Sequence, residues 1–388
     1  MSPLCESFLS AAQLDAMEPF YPLTVRVCAS CFLVQLSEYV APAAIFDDYA
    51  YFSSYSTSWL QHAERYTEMI VPRLRLDPRS FVVEVASNDG YLLQNFVRRG
   101  IPSLGVEPAR NVAREAEKRG VPTHVGYFGS DTAEDLSRKR RADLLVGNNV
   151  LAQVPDLNDF VAGIRTLLAP TGVATLEFPH LLRLIEENQF DTIYHEHFSY
   201  FSFLTAEKIF RKHGLRLFDV EELTTHGGSL RIYACRTEDP RPEEERVERM
   251  RRTEEAAGLT LIDRYSGFQE SVDGVKRELL KTLIRVREAG ATVAGYGAPG
   301  KGNTLLNYCG IRTDLVAYTV DRNPYKHGKF LPGTRIPIYP PERIRETRPD
   351  YVLILPWNLK DEIMGQLAYV REWGGRFLVP IPIPQEYA

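Results

Sequence analysis

The strongest constraint on the fold is a regular alternation of short apolar strands and amphipathic helices that begins at residue 81. The strand-like FVVEVA is followed by the helical YLLQNFVRRG, the strand LGVE and the helical ARNVAREAEKRG. A further strand, helix and strand follow in ADLLVGNNVL, DLNDFVAGIRTLL and GVATLEF. Strands that alternate with helices predict a parallel sheet covered by helices. The sequence therefore predicts an α/β domain with a doubly wound, Rossmann-like sheet, which we place at residues 49–235.

A second series of strands near the carboxyl terminus predicts another α/β unit. The segments ATVAGYG, DLVAYTVD, DYVLILP and FLVPIP have the composition of buried strands, and a glycine-rich turn follows the first of them. This pattern is typical of a second Rossmann-like domain, placed at residues 291–388. The intervening residues 236–290 are rich in Glu and Arg at helical spacing, which is typical of a solvated helical connector.

Residues 1–48 are turn-rich and contain one C-x-x-C pair, Cys28 and Cys31, between two stretches of alternating apolar residues. This pattern predicts a hairpin that carries a cysteine knuckle. A zinc ribbon needs four ligands, commonly two such pairs, and this stretch shows one. We therefore expect a small zinc-ribbon remnant, with Cys28 and Cys31 as candidate metal ligands and zinc as a candidate cofactor.

Composition and charge exclude several classes of protein. The chain has 388 residues, a net charge of -5 and an isoelectric point near 6.0, so it lacks the general positive field that favours nucleic acid. No apolar run reaches the roughly 18 residues that cross a bilayer, and the first residues lack the pattern of a signal peptide. The five cysteines fit reduced thiols better than disulfides. We expect a cytoplasmic protein and a monomer, without a nucleic acid or membrane partner.

The first strand of the series runs into a turn of small and polar residues and then a helix, at the edge where open α/β sheets bind ligands. The turn has one glycine, so its residues alone also fit an ordinary α/β turn. Glu107 ends the next strand, where a carboxylate can accept hydrogen bonds from both hydroxyls of a ribose. The scarcity of glycine favours an adenosine cofactor without phosphates. The candidate cofactor residues are Glu84, Ala86, Ser87, Asn88, Gly90, Glu107, Asn148 and Asn149.

A second glycine-rich turn opens the carboxyl-terminal unit. Gly295, Gly297 and Gly300 satisfy the pattern G-x-G-x-x-G between a strand and a helix, and Asp321 ends the next strand. From the residues alone this is the stronger dinucleotide fingerprint, and it leaves open an NAD-dependent oxidoreductase. Its backbone amides, with Lys301, equally suit the pyrophosphate of a substrate. A turn that only packs a helix against a strand is the remaining alternative.

The densest cluster of titratable groups lies between strands, in the segment YHEHFSY at residues 194–200. The spacing His-x-His does not place both imidazoles on one face of a helix, although in a strand they would share a face, so a metal site is possible but not favoured. An imidazole is matched to proton transfer near neutral pH, and a neighbouring carboxylate can orient it or raise its pKa. From the residues alone, catalysis and the ordinary packing of a buried histidine both stay open.

Six segments, in this order, resemble the sugar-nucleotide C-methyltransferase family that makes 3-C-methyl branched deoxysugars: EVASNDGYLL, GVEPA, GNNVLAQVPD, IYHEHFSYFS, HGGSLR and GYGAPGKGNTLLNYCG. The similarity covers nearly the whole chain. It implies a zinc-binding module, a class I methyltransferase domain that uses S-adenosylmethionine, and a Rossmann-like domain that helps to hold a nucleotide-linked 4-keto-deoxysugar. Family members carry a further C-x-x-C upstream of the stretch matching MSPLCESFL, so either the true start lies upstream or the module has lost its metal.

The resemblance implies roles for the candidate residues. His197 is expected to remove the proton at C3 of the sugar, with Tyr194 and Glu196 close to the reacting atoms. Tyr194, Asn149 and Gln153 are candidate donors to the carbonyl oxygen, and because the family often has His at position 153, Gln153 is expected to bind substrate instead of transferring protons. Further candidates for the substrate site are Gly297, Lys301, Asn303, His226 and Arg231, with Glu177 and His180 at its edge. A nucleotide-sugar-binding protein without catalytic activity is the third hypothesis.

Overall fold

A computed structural model describes residues 1–41 and 52–388 of the chain. The predicted boundary between residues 48 and 49 lies outside the described residues. The strands are β1 Val25–Val27, β2 Val34–Leu36, β3 Val82–Val85, β4 Ser103–Glu107, β5 Thr123–Val125, β6 Ala142–Asn148, β7 Leu168–Pro179, β8 Ser199–Tyr200, β9 Leu215–Leu223, β10 Ser229–Arg236, β11 Val293–Tyr296, β12 Thr319–Val320, β13 Ile338–Tyr339, β14 Tyr351–Ile354, β15 Arg376–Val379 and β16 Gln385–Tyr387.

The α-helices lie mostly between consecutive strands, as the alternation predicts. They are α1 Thr57–Leu74, α2 Leu93–Val97, α3 Arg110–Lys118, α4 Ser130–Lys139, α5 Leu157–Leu167, α6 Leu181–Glu186, α7 Phe203–Lys212, α8 Glu245–Ala256, α9 Asp263–Ser266, α10 Phe268–Glu288, α11 Gly300–Cys309, α12 Arg343–Thr347 and α13 Lys360–Gln366. In the described part of the chain, no helix has both the length and the apolar character needed to cross a bilayer.

Seven strands form the first large sheet, in the order β5-β4-β3-β6-β7-β10-β9. Neighbouring strands run parallel from β5 to β7, and β10 runs antiparallel to both of its neighbours. The strand order changes direction between β3 and β6. Ligands of open α/β sheets bind outside the carboxyl ends of the strands at such a point. The topology therefore places a ligand site after β3 and β6.

The central strands of this sheet lack an alternation of polar and apolar residues because both faces are covered. Leu144 and Val146 of β6 pack on one face together with Phe96 of α2. Leu145 packs on the opposite face together with Ile164 of α5. The first domain is thus a sheet between two helical layers.

Six strands form the second large sheet, in the order β13-β12-β11-β14-β15-β16. Five of them are parallel, and β16 is antiparallel to β15. Numbered within the sheet, this is the Rossmann order 3-2-1-4-5-6. The two sheets together confirm the predicted α/β class with two Rossmann-like domains.

Helix α10 lies in the region predicted as a solvated connector, but one of its faces is buried. Its Val272, Val275, Leu279, Leu283 and Val286 belong to the core of the second domain. These residues recur at spacings of three and four, which forms one apolar stripe along a helix. Helix α10 is therefore a structural part of the second domain. The composition of the segment does not show the apolar stripe, because many of its residues are charged.

The amino-terminal hairpin is attached to the titratable segment 194–200. Its strands β1 and β2 pair antiparallel, and Cys28 and Cys31 lie in the connection between them. β2 also pairs antiparallel with β8, which is Ser199–Tyr200. The backbone of the titratable segment is therefore held by the hairpin through a small three-stranded sheet.

Glu254 of α8 is fully buried and holds the first turn of α7. Its carboxylate accepts hydrogen bonds from the amides of Phe203 and Leu204 at 2.6 and 2.9 Å, and it lies 2.7 Å from His180 Nε2. The side chain of His180 therefore contacts Glu254, and it does not line the cavity described below.

We expect Glu254→Ala to lower the free energy of unfolding by about 3 kcal/mol, because it leaves three buried polar groups without their partner. Urea denaturation measures this change. Glu255→Ala is the matched control, since Glu255 is exposed on the same helix, and its effect should stay below about 0.5 kcal/mol. Equal, small effects of the two variants would contradict the role of Glu254.

Candidate active site

A cavity of about 1230 Å³ lies between the carboxyl ends of the two large sheets. Its walls include the turn after β3, the carboxyl end of β6, residues 194, 196 and 197, and the turn after β11. Glu6 of the amino-terminal segment also lines it. The two ligand-binding turns predicted from the sequence therefore face one common space, together with the titratable segment.

The turn after β3 has the backbone of a glycine-rich loop although it contains one glycine. Ala86, Asn88 and Gly90 have φ angles of 54°, 49° and 76°. Glycine adopts this left-handed region freely, Asn tolerates it, and Ala does so at a cost. The residues E-V-A-S-N-D-G thus adopt the conformation of a glycine-rich loop, with Ala86 and Asn88 in place of two glycines. The sequence pattern did not show this conformation, because the segment contains one glycine.

Glu107 closes this turn from the end of β4. Its two carboxylate oxygens accept hydrogen bonds from the amides of Asn88 and Ala109, each at 2.9 Å. The side chain lines the cavity, and burial raises its pKa. Each carboxylate oxygen has a second lone pair, so Glu107 can hold the turn and still accept hydrogen bonds from the hydroxyls of a ribose.

Three of the predicted cofactor residues support the turn from behind and do not line the cavity. Ser87 points at β4, where a Cβ added to Gly105 would lie 2.3 Å from its Oγ. Gly90 packs against α3, where an added Cβ would lie 3.3 Å from the Cα of Ala116. Glu84 has no exposed surface, and burial raises its pKa well above the usual value. These three residues support the backbone of the turn, whereas Ala86 and Asn88 line the cavity.

Asn148 and Asn149 line the cavity at the carboxyl end of β6. Asn148 donates a hydrogen bond to the hydroxyl of Tyr91 at 3.2 Å. Asn149 has a φ of 55°, and its side-chain amide donates to His226 Nε2 at 2.8 Å. This contact brings the HGGSLR turn to the same cavity as the turn after β3.

An aromatic wall that the sequence analysis did not assign completes this side of the cavity. Trp59 of α1 stacks on His62 and Tyr91, with ring centroids 4.9 and 5.9 Å apart, and its edge meets the ring of His226 at 5.3 Å. All four side chains line the cavity. The available signal was the aromatic run YAYFSSYSTSWL, but such a run does not show which rings face a ligand.

His197 faces the cavity with a defined orientation. Its Nδ1 donates a hydrogen bond to the carbonyl of Thr192 at 3.0 Å, which leaves the lone pair on Nε2. The ring packs against Tyr194, with centroids 4.2 Å apart. Burial lowers the pKa of His197 to about 4. The imidazole is therefore neutral at pH 7, which is the form that can accept a proton.

The neighbours of His197 contact the amino-terminal segment. Glu196 lines the cavity and accepts a hydrogen bond from the thiol of Cys5 at 3.4 Å. His195 turns away, with its Nε2 3.0 Å from the carbonyl of Pro22. The two histidines of the segment thus lie in different environments.

The turn after β11 resembles the first turn in its hydrogen bonding. Asp321 accepts hydrogen bonds from the amides of Ala298 and Asn323 at 2.7 and 2.8 Å, as Glu107 does in the first domain. Gly297 has a φ of 88°, and an added Cβ would lie 2.6 Å from Pro356. Only glycine fits at that position, so the backbone there can approach a ligand closely.

Two of the predicted substrate residues lie outside the cavity. Asn303 is buried and donates a hydrogen bond to the carbonyl of Cys5 at 2.6 Å, so it anchors the amino-terminal segment. Arg231 pairs with the buried carboxylate of Glu177 at 2.9 Å, and neither side chain lines the cavity. The remaining candidates that line it are Gln153, Gly297, Lys301 and His226.

Cys28 and Cys31 are partly exposed, free thiols in the connection of the hairpin. Within residues 1–41 and 52–388, no group of three or more His, Cys, Asp and Glu side chains could hold a metal ion. The donors described there do not form a complete zinc site.

Three family models match the chain in succession. They are "Putative zinc binding domain" at residues 1–46, "Methyltransferase domain" at residues 59–220 and "C-methyltransferase C-terminal domain" at residues 224–382. C-methyltransferase NovU of Streptomyces niveus is 37% identical over 385 residues, which cover 99% of this chain and 92% of that protein. The chain belongs to the C-methyltransferase family. It is a methyltransferase that uses S-adenosylmethionine, and this favours methyl transfer over the NAD-dependent and the non-catalytic alternatives.

Two solved structures are similar to parts of this C-methyltransferase. An S-adenosylmethionine-dependent methyltransferase of Clostridium acetobutylicum ATCC 824 has a TM-score of 0.38 and 12% identity, covering 45% of this chain and 91% of that one. Magnesium protoporphyrin IX methyltransferase of Synechocystis PCC 6803 has a TM-score of 0.37 and 14% identity, covering 46% and 83%.

We expect Ala86→Gly to raise the free energy of unfolding of the C-methyltransferase by about 1 kcal/mol, because glycine adopts a positive φ without the steric cost of Cβ. Urea denaturation measures the change. Ala162→Gly, inside helix α5, is the control and should lower the free energy of unfolding by about 1 kcal/mol. A loss of stability in both variants would rule out a left-handed conformation at Ala86.

Proposed function

We propose that this C-methyltransferase methylates C3 of a nucleotide-linked 4-keto-deoxysugar. The observation that carries the proposal is His197, a neutral imidazole of defined orientation that faces a cavity shared by two nucleoside-type turns. Polar methylation of carbon requires a nucleophilic carbon, and a carbonyl beside that carbon makes its proton removable by such a base, which gives an enolate. A keto-sugar supplies this carbonyl. The resemblance to sugar-nucleotide enzymes in six segments supports the choice of a sugar.

The turn after β3 fits the adenosyl cofactor. We propose that Ala86, Asn88, Glu107, Asn148 and Asn149 hold S-adenosylmethionine, because all five line the cavity at the point where the strand order reverses. When bound, S-adenosylmethionine would supply an electrophilic methyl group to a nucleophilic carbon and would leave as a neutral thioether.

His197 is the proposed general base. The hydrogen bond from Nδ1 to Thr192 holds the ring, so the proton from C3 is accepted at Nε2. Tyr194 packs against the imidazole, with ring centroids 4.2 Å apart. Because burial raises the pKa of Tyr194 well above its usual value, its hydroxyl stays protonated and can donate to the substrate. Glu196 is proposed to accept a hydrogen bond from a sugar hydroxyl beside the reacting carbon.

The nucleotide is proposed to bind at the turn after β11. Helix α11 begins at Gly300, three residues after Gly297, and a helix amino terminus favours an anionic group such as a pyrophosphate. Gln153 and His226 line the cavity between this turn and the cofactor site, which suits contacts with the sugar. We further propose that the enzyme is a cytoplasmic monomer, because one chain supplies both turns and the cysteines described here are free.

A panel of thymidine, guanosine and cytidine diphosphate 4-keto-deoxysugars, incubated with isotopically labelled S-adenosylmethionine, tests the substrate class. We expect label in the sugar of at least one panel member and none in the corresponding 4-hydroxy sugars, because these lack the acidifying carbonyl. Mass spectrometry detects the product, and NMR locates the methyl group. Transfer only to 4-hydroxy sugars would reject the proposal, and tight NAD binding without any methyl transfer would favour the oxidoreductase.

Exchange of the C3 proton with deuterated solvent tests the base without methyl transfer. We expect His197→Asn to lower the exchange rate by at least about 100-fold, the usual contribution of a positioned general base. NMR of the recovered substrate measures the rate. His213→Asn, at a histidine outside the cavity, is the control and should retain the rate of the wild type. Exchange at the wild-type rate in His197→Asn would remove His197 from this role.

A further inference from the structure

Lys301 lies in the part of the cavity where the two domains meet. It is the second residue of helix α11, and its ammonium donates a hydrogen bond to Asn358 Oδ1 at 2.7 Å. The same nitrogen lies 4.5 Å from the centroid of the Trp357 ring. The Trp357 ring packs closely on Gly227: a Cβ added to Gly227 would lie 2.6 Å from the ring. Lys301 is thereby placed next to the turn that carries His226, on the side of the cavity proposed to hold the sugar.

The ammonium of Lys301 has hydrogen-bonding capacity to spare. An ammonium group has three N–H donors, and Asn358 is the one acceptor bonded to it within residues 1–41 and 52–388. The negative charge of Asp191 opposes the lowering of the pKa of Lys301 by burial. The Oδ2 of this carboxylate accepts its hydrogen bond from Trp357 Nε1 at 2.7 Å, and not from Lys301. Two N–H groups of Lys301 are therefore available to an oxygen atom of a ligand in the cavity.

The charge of Lys301 acts on both histidines of the cavity. Burial lowers the pKa of His197 and of His226 to about 4, and the positive charge of Lys301 adds to this effect. Burial also lowers the pKa of Lys301 itself to about 8, against the opposing effect of Asp191. Lys301 thus keeps its proton at neutral pH while it lies within electrostatic reach of the proposed base.

We propose that Lys301 is a catalytic residue that donates a hydrogen bond to the substrate carbonyl oxygen while His197 removes the adjacent proton. This inference rests on the proposed function. When the C3–H bond breaks, the proton moves to His197 Nε2, its electron pair forms the C3–C4 double bond, and the carbonyl π electrons move to oxygen. A cation with free N–H groups stabilises that oxyanion more than it stabilises the neutral ketone. The carbonyl forms again when carbon takes the methyl group, so Lys301 undergoes no net change.

The alternative, in which Lys301 binds the pyrophosphate of the substrate, has a different kinetic signature. A contact that is equally strong before and during the reaction raises KM and leaves the rate at saturation unchanged. A contact to the developing oxyanion instead lowers the rate at saturation. The two roles can therefore be separated by measuring the exchange rate over a range of substrate concentrations.

The experiment is exchange of the C3 proton with deuterated solvent, in the presence of S-adenosylhomocysteine and the panel substrate that the wild-type enzyme exchanges. We expect Lys301→Met to lower the exchange rate at saturation about 100-fold, and Lys301→Arg to recover part of it because it keeps the cation. Lys276→Met is the matched control. The ammonium of Lys276 donates a hydrogen bond to the backbone carbonyl of Tyr308 at 2.8 Å and lies 4.9 Å from the centroid of the Tyr308 ring. Lys276 does not line the cavity. Its exchange rate should equal that of the wild type.

A wild-type rate at saturation in Lys301→Met overturns the proposal, and a raised KM in the same variant assigns Lys301 to the pyrophosphate. Absence of exchange in the wild-type enzyme with every panel member refutes the proposed function, and the role of Lys301 falls with it. Circular dichroism and thermal unfolding show that each variant is folded. If Lys301→Met does not fold, Lys301→Leu provides the same comparison, because it also lacks a charge and an N–H donor.

Discussion

Backbone hydrogen bonds on both sides of the segment 194–200 hold the centre of the proposed active site. The amide of Leu36 in the hairpin donates to the carbonyl of Phe198 at 2.9 Å, and the amide of Phe198 donates to the carbonyl of Ala152 at 2.7 Å. With its backbone held by the hairpin and by the first domain, the segment can present His197 to the cavity in one orientation. The site therefore depends on the hairpin as much as on the two sheets.

The burial that this packing produces also sets the protonation states of the site. Desolvation disfavours charge, so it lowers the pKa of His197 to about 4 and that of Lys301 to about 8. It raises the pKa of Tyr194 well above its usual value. At neutral pH the cavity thus holds a neutral imidazole together with two groups that keep their protons. Groups whose pKa values are separated in this way are suited to opposite roles in one proton transfer.

The two domains build the turns that face the cavity with the same hydrogen bonds but different residues. In each domain, a carboxylate at the end of the second strand accepts a hydrogen bond from a backbone amide of the turn. Glu107 accepts from the amide of Asn88, and Asp321 accepts from the amide of Ala298. The second turn reaches its positive φ with Gly297, whereas the first uses Ala86. Two turns with similar backbones facing one cavity suit an enzyme that brings together two ligands, each with a nucleoside.

The sequence by itself determined the two sheets, the positions of their turns, and the candidate status of Glu107, because strand and helix periodicity and turn residues are local properties. His197 was singled out by the resemblance of its segment to the sugar-nucleotide C-methyltransferase family. Tertiary structure alone decided which candidates face the cavity, placing Ser87 behind its turn and Arg231 beside Glu177. It also joined Cys5 to Glu196, which lie 191 residues apart. Such contacts come from the packing of separate units against one another, which no local pattern in the sequence encodes.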